Sequence, residues 1–248
     1  MHKSSFKKAE LFVRHYVGQT SNSVTVLEVG SKSYHAHDTF KSLFPAPRFA
    51  YTGLDVEAGP NVDVVPRDGY LWQELADSSF DVCISGQTFE HNPFFWVTFC
   101  EMARVVRPGG HMFVIAPGAG AVHRYPYDCW RFYPDSWLAL CRLTGLVLVE
   151  TYFEPDRMAV KVQGGKWRDS AVIARKPVLD AAGQEALQRR LVELAAPFRS
   201  LPFDLGPPSA DIGPCFAEYE AEMERGDGAL KKLSAKLKRR RSEPVYER

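Results

Sequence analysis

Long apolar runs are missing from this chain of 248 residues. None lies at the N-terminus, which argues against a signal peptide, and none approaches the roughly 20 apolar residues of a membrane-crossing helix. Charge of one sign is missing as well. Thirty-one Lys and Arg stand against thirty Asp and Glu, for a net charge of +1. No whole-chain field therefore draws the protein to nucleic acid or to a membrane. Cysteine is scarce: five residues, scattered, with no CxxC pair. A disulfide framework or a zinc cluster does not fit that pattern, whereas reduced thiols in a cytoplasmic protein do. No internal repeat is visible. What is present is a 45% share of hydrophobic residues, enough to core one large α/β domain with an appendage.

The chain is organised around Val24-Thr25-Val26-Leu27-Glu28-Val29-Gly30-Ser31. A short β-branched apolar run reads as a strand buried on both faces, and the acid and glycine mark its exit into a tight turn. Ser33 is a candidate cap for a following helix with Phe40, Leu43 and Phe44 on its apolar face. The first strand of a doubly wound sheet delivers its carboxyl end to a nucleotide-like ligand at such a turn. Upstream, residues 1–20 read as a helix with Phe6, Ala9, Leu11, Phe12 and Tyr16 as apolar positions.

Further strands are expected at 49–55, 62–65, 79–85, 111–117, 146–153 and 171–176, with helices at 94–106 and from about Ser136. In the first of these helices Pro93 reads as a first-turn residue, and Arg107-Pro108-Gly109-Gly110 as its stop, with Gly as left-handed cap. Alternating strands and helices predict a mostly parallel sheet covered on both faces. The second strand ends in Asp55, an acid placed to accept from both ribose hydroxyls of a nucleoside, or else to cap the strand end. Asp68-Gly69 follows the third strand; Asp68 could accept from an adenine amino group or serve a plain Asp-Gly turn.

These pieces together resemble the class I S-adenosylmethionine-dependent methyltransferases over residues 24–176. The matching segments are Leu27-Glu28-Val29-Gly30-Ser31, Gly53-Leu54-Asp55, Ser79-Phe80-Asp81-Val82, Phe89-Glu90-His91 and Arg107-Pro108-Gly109-Gly110 before a strand. The resemblance implies a Rossmann-like sheet of seven strands with an antiparallel last strand, S-adenosylmethionine as cofactor, and methyl transfer as the reaction. It implies that Gly30 and Ser31 admit the methionine part, Asp55 holds the ribose, Asp68 faces the adenine, and Gln87 and His91 line the cofactor. Glu28, Val56 and Gly69 complete the expected cofactor set. Lys32 and Tyr34 stand where the family's first loop usually carries glycines. Side chains there restrict the loop and weaken a nicotinamide dinucleotide reading, which needs Gly-x-Gly-x-x-Gly around a pyrophosphate.

Residues 123–135, His-Arg-Tyr-Pro-Tyr-Asp-Cys-Trp-Arg-Phe-Tyr-Pro-Asp, follow the fifth strand and should lie above the strand ends. Five aromatics with His, Arg and Asp suit a sugar, whose C–H faces stack on rings while charged groups bind hydroxyls. His123 is the candidate base and Asp128 its orienting partner or substitute. Arg124, Tyr125, Tyr127, Arg131 and Tyr133 are the candidate substrate contacts. The alternative is a loop plug in which Trp130, Phe132 and Tyr133 pack on the sheet and Arg131 pairs with Asp128 or Asp135. The loop resembles those of methyltransferases of bacterial surface-glycan and glycolipid synthesis.

Some sugar-modifying members of the family use a divalent metal. Here His123, Asp128, Glu90 and His91 offer ligands, but no spacing selects them, and no metal is assigned. His35 and His37 read as exposed helix residues. Gly164-Gly165-Lys166 could border the substrate cleft. The Asn/Asp-Pro-Pro-Tyr/Phe motif of base amino-methylation is not at the end of the fourth strand, which reads Ser85-Gly86-Gln87-Thr88.

The expected domain is therefore 1–177, with a helical extension and basic tail at 178–248. Residues 179–196 read as an amphipathic helix, 197–214 as a Pro- and Gly-rich linker, and 216–226 as a short helix. Residues 231–241, from Lys231 to Arg241, are strongly basic: a solvated tail leads, and a peripheral membrane or nucleic-acid contact competes. The expected activity is O-methyl transfer to a hydroxyl of a sugar, glycan or glycolipid precursor. Alternatives are a small-molecule or RNA methyltransferase of the same fold, or a non-catalytic cofactor-binding protein.

Overall fold

A computed structural model describes residues 3–18, 23–34, 39–159, 161, 165–206, 214 and 216–225. Strand β1, Val24–Val29, is buried along nearly its whole length, as a β-branched run flanked on both sides requires. It pairs in parallel with β2, Phe49–Leu54, on one side and with β3, Phe80–Gly86, on the other. Next to β3 runs β4, Val106–Pro117, also parallel. The last two strands, β5 (Val147–Phe153) and β6 (Asp169–Arg175), form an antiparallel pair, and β6 inserts antiparallel between β4 and β5. The order is β2-β1-β3-β4-β6-β5. The chain therefore has the expected Rossmann-like α/β fold with an antiparallel last strand, with six strands among the described residues where seven were expected.

The difference lies at residues 62–65, which form one parallel bridge, Leu54 to Val64, rather than a strand. Here Gly53 takes up the chain: its N–H donates to the Asp63 carboxylate, and its carbonyl accepts from both Asp63 and Val64 N–H. One residue of β2 thus satisfies three groups, and no ladder continues from it.

Helix α1, Lys3–Phe12, and the π-turn Val13–Val17 seat Ala9, Phe12 and Val17 on one sheet face with Phe40, Phe113 and Ile115. Helix α2, Phe95–Val105, covers the other face, along with α3, Pro134–Thr144. Helix α3 starts with Pro134 in its first turn and stops at Gly145 in the left-handed region, φ 72°, both as helix-end chemistry requires. A short turn, α4, Asp156–Ala159, precedes β6. Helix α5, Ala181–Ala195, is capped by Asp180, whose carboxylate accepts from Gly183 N–H, and buries Leu187 and Leu191 in the main core.

Several local expectations change. Between β1 and β2 the described residues carry a 3-10 turn, Lys41–Leu43, instead of a long helix, with Pro45 and Pro47 close behind; proline blocks continuation. His35 and His37 lie outside the described residues. Pro93 precedes α2, whose N-cap position is Phe94. Gly109 has φ +80° but sits inside β4, four residues past the helix. The end of α2 is closed instead by Lys176, whose Nζ donates to Arg104 O at 3.2 Å and Val106 O at 2.8 Å.

Two compact units emerge, Met1–Leu205 and Gly206–Arg248. The expected boundary at 177–178 falls between β6 and α5. In the second unit residues 216–225 are helical. The basic stretch 231–241 and Cys215 lie outside the described residues. The other four cysteines are free thiols, Cys83, Cys100 and Cys141 buried and Cys129 half-buried. Among the described residues no helix is long and apolar enough to cross a membrane.

Candidate active site

At the carboxyl end of β1 the chain turns through Gly30, φ +76°. A Cβ at this position would stand 2.1 Å from Thr88 Oγ1, so glycine is required twice over, for the angle and for the space. The N–H groups of Gly30 and Ser31 both donate to Leu54 O, which draws the first loop onto the end of β2. Asp55 follows directly. Its carboxylate accepts from Lys32 N–H at 3.0 Å and Glu57 N–H at 3.2 Å. Burial raises its pKa above the ordinary carboxylate value.

From the end of β3 come Gln87 and Thr88. Gln87 holds φ 55°, an unusual angle for a residue with a side chain, of the kind that clusters at functional sites. Its Nε2 donates to Asp169 Oδ1 and Ser5 Oγ, each at 3.1 Å, so β6 and α1 fix it. The ends of β1, β2 and β3 thus enclose a cleft of about 710 Å³, lined by Gly30, Asp55, Val56, Gln87, His91, Tyr125 and Tyr127. That volume suits a small organic ligand. Lys32 and Tyr34 also line it, with Lys32 Nζ paired to Glu57 at 2.6 Å and lying over the Tyr34 ring. Tyr34 meets Tyr125 edge-on at 4.9 Å.

The segment after β4 lies against this cleft. Asp128 is its anchor: the carboxylate accepts a two-pronged bond from Arg131 at 2.6 and 2.7 Å, and one from His123 N–H at 2.6 Å. Although burial pushes the Asp128 pKa up, Arg131 and His123 hold it below its ordinary value. His123 Nδ1 stands 3.2 Å from Asp128 Oδ2, and its ring packs on Trp167 at 4.3 Å. His91 sits edge-on to His123 with ring centres 5.0 Å apart, and its Nδ1 is 2.5 Å from Tyr127 O. Burial lowers the His91 pKa below the ordinary imidazole value. Part of this segment packs as a plug. Phe132 is buried and stacks on Trp137 at 4.7 Å, and Arg131 is spent on Asp128. Tyr125 and Tyr127 line the cleft, and His123 stands behind His91, between it and Trp167.

Some expected site residues lie elsewhere. Glu28 is buried under the loop, accepting from Tyr51 OH and Phe40 N–H. Asp68 accepts from Tyr70 N–H and Ser200 N–H and does not line the cleft. Ser31 donates to Asn61 O. Gly69 packs behind Val56 and Phe203. Arg124 is exposed, and Tyr133 stacks on Phe153 away from the cleft. Gly164 lies outside the described residues.

Other participants were not expected. Phe203 and Asp204 line the cleft although their segment reads as a linker, and Asp204 accepts from Tyr127 OH. Only the tertiary contact identifies them. Glu90 was legible as part of Phe-Glu-His, but not its burial: it is 1% exposed.

Comparison with known proteins gives a consistent result. Residues 23–114 match the family described as a methyltransferase domain. An uncharacterized methyltransferase of Mycobacterium ulcerans is 34% identical over 103 residues, covering 38% of this chain and 39% of that protein. One of Mycobacterium marinum is 33% identical over the same length and shares. The chain thus spans about two fifths of these relatives. Among solved structures, the 1,6-didemethyltoxoflavin-N1-methyltransferase of Burkholderia thailandensis, with bound S-adenosylhomocysteine, aligns with a TM-score of 0.54 at 14% identity, covering 71% of this chain and 80% of that one. The [4+2]-cyclase SpnF aligns with a TM-score of 0.54 at 16% identity, over 70% and 81%. A cyclase among the neighbours means that the fold by itself does not set the reaction.

Proposed function

We propose, for a chain whose residues 23–114 match a methyltransferase domain, that it is a class I S-adenosylmethionine-dependent methyltransferase and transfers a methyl group from S-adenosylmethionine to a hydroxyl of a sugar, glycan or glycolipid precursor. The observation that carries this reading is the Arg131–Asp128–His123 arrangement beside an aromatic-walled cleft.

The cleft suits the cofactor on two counts. Gly30 leaves no room for a side chain beside Thr88, at the strand end where such a fold admits its ligand. Asp55 has about four acceptor sites and spends two on Lys32 and Glu57 N–H, leaving capacity for both ribose hydroxyls. When bound, S-adenosylmethionine supplies an electrophilic methyl group on a sulfonium. The chain's own residues do the rest. Tyr125 and Tyr127 offer ring faces to the acceptor. His123 takes the hydroxyl proton, and Asp128, locked by Arg131, fixes the imidazole and stabilises it once charged.

The test is methyl transfer to a panel of sugars, nucleotide sugars and glycans, followed by mass spectrometry. His123→Ala is expected to lower kcat by about 10²–10⁴-fold while S-adenosylhomocysteine affinity changes little. Full activity in that variant would remove His123 as base. Binding without turnover across the panel would favour a cofactor-binding scaffold. A glycolipid acceptor would place the chain at a cytoplasmic membrane face, with the basic residues 231–241 as its contact. Co-sedimentation with anionic vesicles, lost on neutralising those residues, is the expected outcome.

A further inference from the structure

Glu90 follows β3 and is 1% exposed, and its Oε2 has no hydrogen-bond partner. An unpartnered buried carboxylate oxygen is costly, which asks what it faces. Two imidazoles stand close to this carboxylate. His91 Nε2 is 3.7 Å from Glu90 Oε1, and ligand atoms of Glu90, His91 and His123 all lie within 4.8 Å of one another.

The tautomers follow from the outer partners. His91 Nδ1 donates to Tyr127 O, which leaves the Nε2 lone pair toward Glu90. His123 Nδ1 is 3.2 Å from the Asp128 carboxylate and 3.4 Å from Arg131 Nη2. The shorter contact and the anionic partner select donation to Asp128, which leaves the His123 Nε2 lone pair unprotonated. A backbone carbonyl behind one imidazole and a carboxylate behind the other is the outer shell that orients metal-binding histidines. Arg131, the nearby cation, is neutralised by Asp128.

We propose that Glu90, His91 and His123 bind one divalent transition-metal ion at the inner wall of the cleft. Two imidazoles and one carboxylate suit Zn²⁺, Mn²⁺, Fe²⁺ or Co²⁺ rather than Mg²⁺ or Ca²⁺. Metal–ligand bonds of about 2.1 Å put neighbouring ligands ~3.0–3.4 Å apart. From separations of up to 4.8 Å the group therefore closes by as much as about 1.4–1.8 Å, and His123, on a loop and 37% exposed at its side chain, supplies the movement. Because His91 lines the cleft, an ion held by it would border the space open to an acceptor. The catalytic use of the ion rests on the methyl-transfer reading. An ion here would polarise the acceptor hydroxyl and ease loss of its proton to water; the base role of His123 described above is that of the metal-free site.

The experiment uses full-length protein stripped with a chelator and titrated with Co²⁺, followed by visible absorption and calorimetry. One Co²⁺ per chain is expected in the wild type. Affinity should fall at least ~10-fold in Glu90→Gln and His123→Ala, and about 10–100-fold in Asp128→Asn. Thermal melting checks that each variant is folded, and His123→Ala, at an exposed position, serves if Glu90→Gln is not. No uptake in the wild type, or equal affinity in the folded variants, overturns the proposal. Titration of the metal-free protein with S-adenosylhomocysteine reads the cofactor site separately. Loss of that binding with Co²⁺ uptake intact would sink the methyl-donor reading and leave the metal site standing.

Discussion

Glu28 and Asp55 are carboxylates at the ends of adjacent strands with opposite tasks. Asp55 faces the cleft; its replacement by Ala should weaken S-adenosylhomocysteine binding by about 1.5–3 kcal/mol, the worth of hydrogen bonds to a charged group, read by calorimetry. Glu28 braces the loop from beneath, and burial pushes its pKa up from 4.5 to about 7. A raised carboxyl value means that the folded state holds the proton more tightly than the unfolded one. Stability from this group is therefore greatest below about pH 4.5 and falls as pH rises toward 7. At about 1.4 kcal/mol per unit, the loss across that window is on the order of 3 kcal/mol. Glu28→Gln should flatten the slope of unfolding free energy against pH over the same window. An unchanged slope would mean that another group titrates there.

Helix α2 is the element on which the core turns. Its residues Val97 to Val105 are all buried, including Glu101 and Arg104. Arg104 bonds Glu101 through Nε and Nη2 at 2.8 Å each, and donates to the carbonyls of Trp72 and Leu75. Glu101 in turn accepts from Trp72 N–H at 2.8 Å. This knot fastens the loop between β2 and β3 to the helix. Removing one partner strands a buried charge, so Arg104→Met should cost about 3–5 kcal/mol in denaturant unfolding. A smaller loss would mean that water reaches Glu101. The sequence pattern predicts this helix but not the knot, because a buried Glu and Arg read as solvent-facing in any periodicity count.

Across the whole compact unit, the N-terminal helix is wired to the cleft. Asp169 on β6 accepts from Ser4, Ser5, Lys8 and Gln87, and Lys8 also bonds Glu154 at 2.5 Å. The helix thus covers an apolar sheet face and steadies Gln87 at its left-handed angle. Deleting residues 1–17 should lower stability by several kcal/mol, at ~2 kcal/mol for each large buried side chain uncovered. It should also weaken S-adenosylhomocysteine binding through Gln87. Stability lost with unchanged affinity would reduce the helix to a cover.

The strand order was not legible in the sequence, and the antiparallel end came only with the family resemblance; the alternation of strands and helices, the mostly parallel sheet and the cleft at the ends of β1 and β2 were determined by the sequence itself. These follow from local rules: β-branched runs must be buried, glycine must take the left-handed turn, and crossovers are right-handed. Tertiary structure alone decided which polar residues face that cleft. Glu28 and Asp68 carry the same carboxylate as Asp55, yet Phe40 N–H and Tyr51 OH claim the first, and Tyr70 and Ser200 N–H the second. Asp204 became a cleft residue because a returning chain put it there, and the burial of Glu90 was likewise decided by packing. Side-chain direction across 100 residues of separation depends on packing, and packing has no period that a sequence can display.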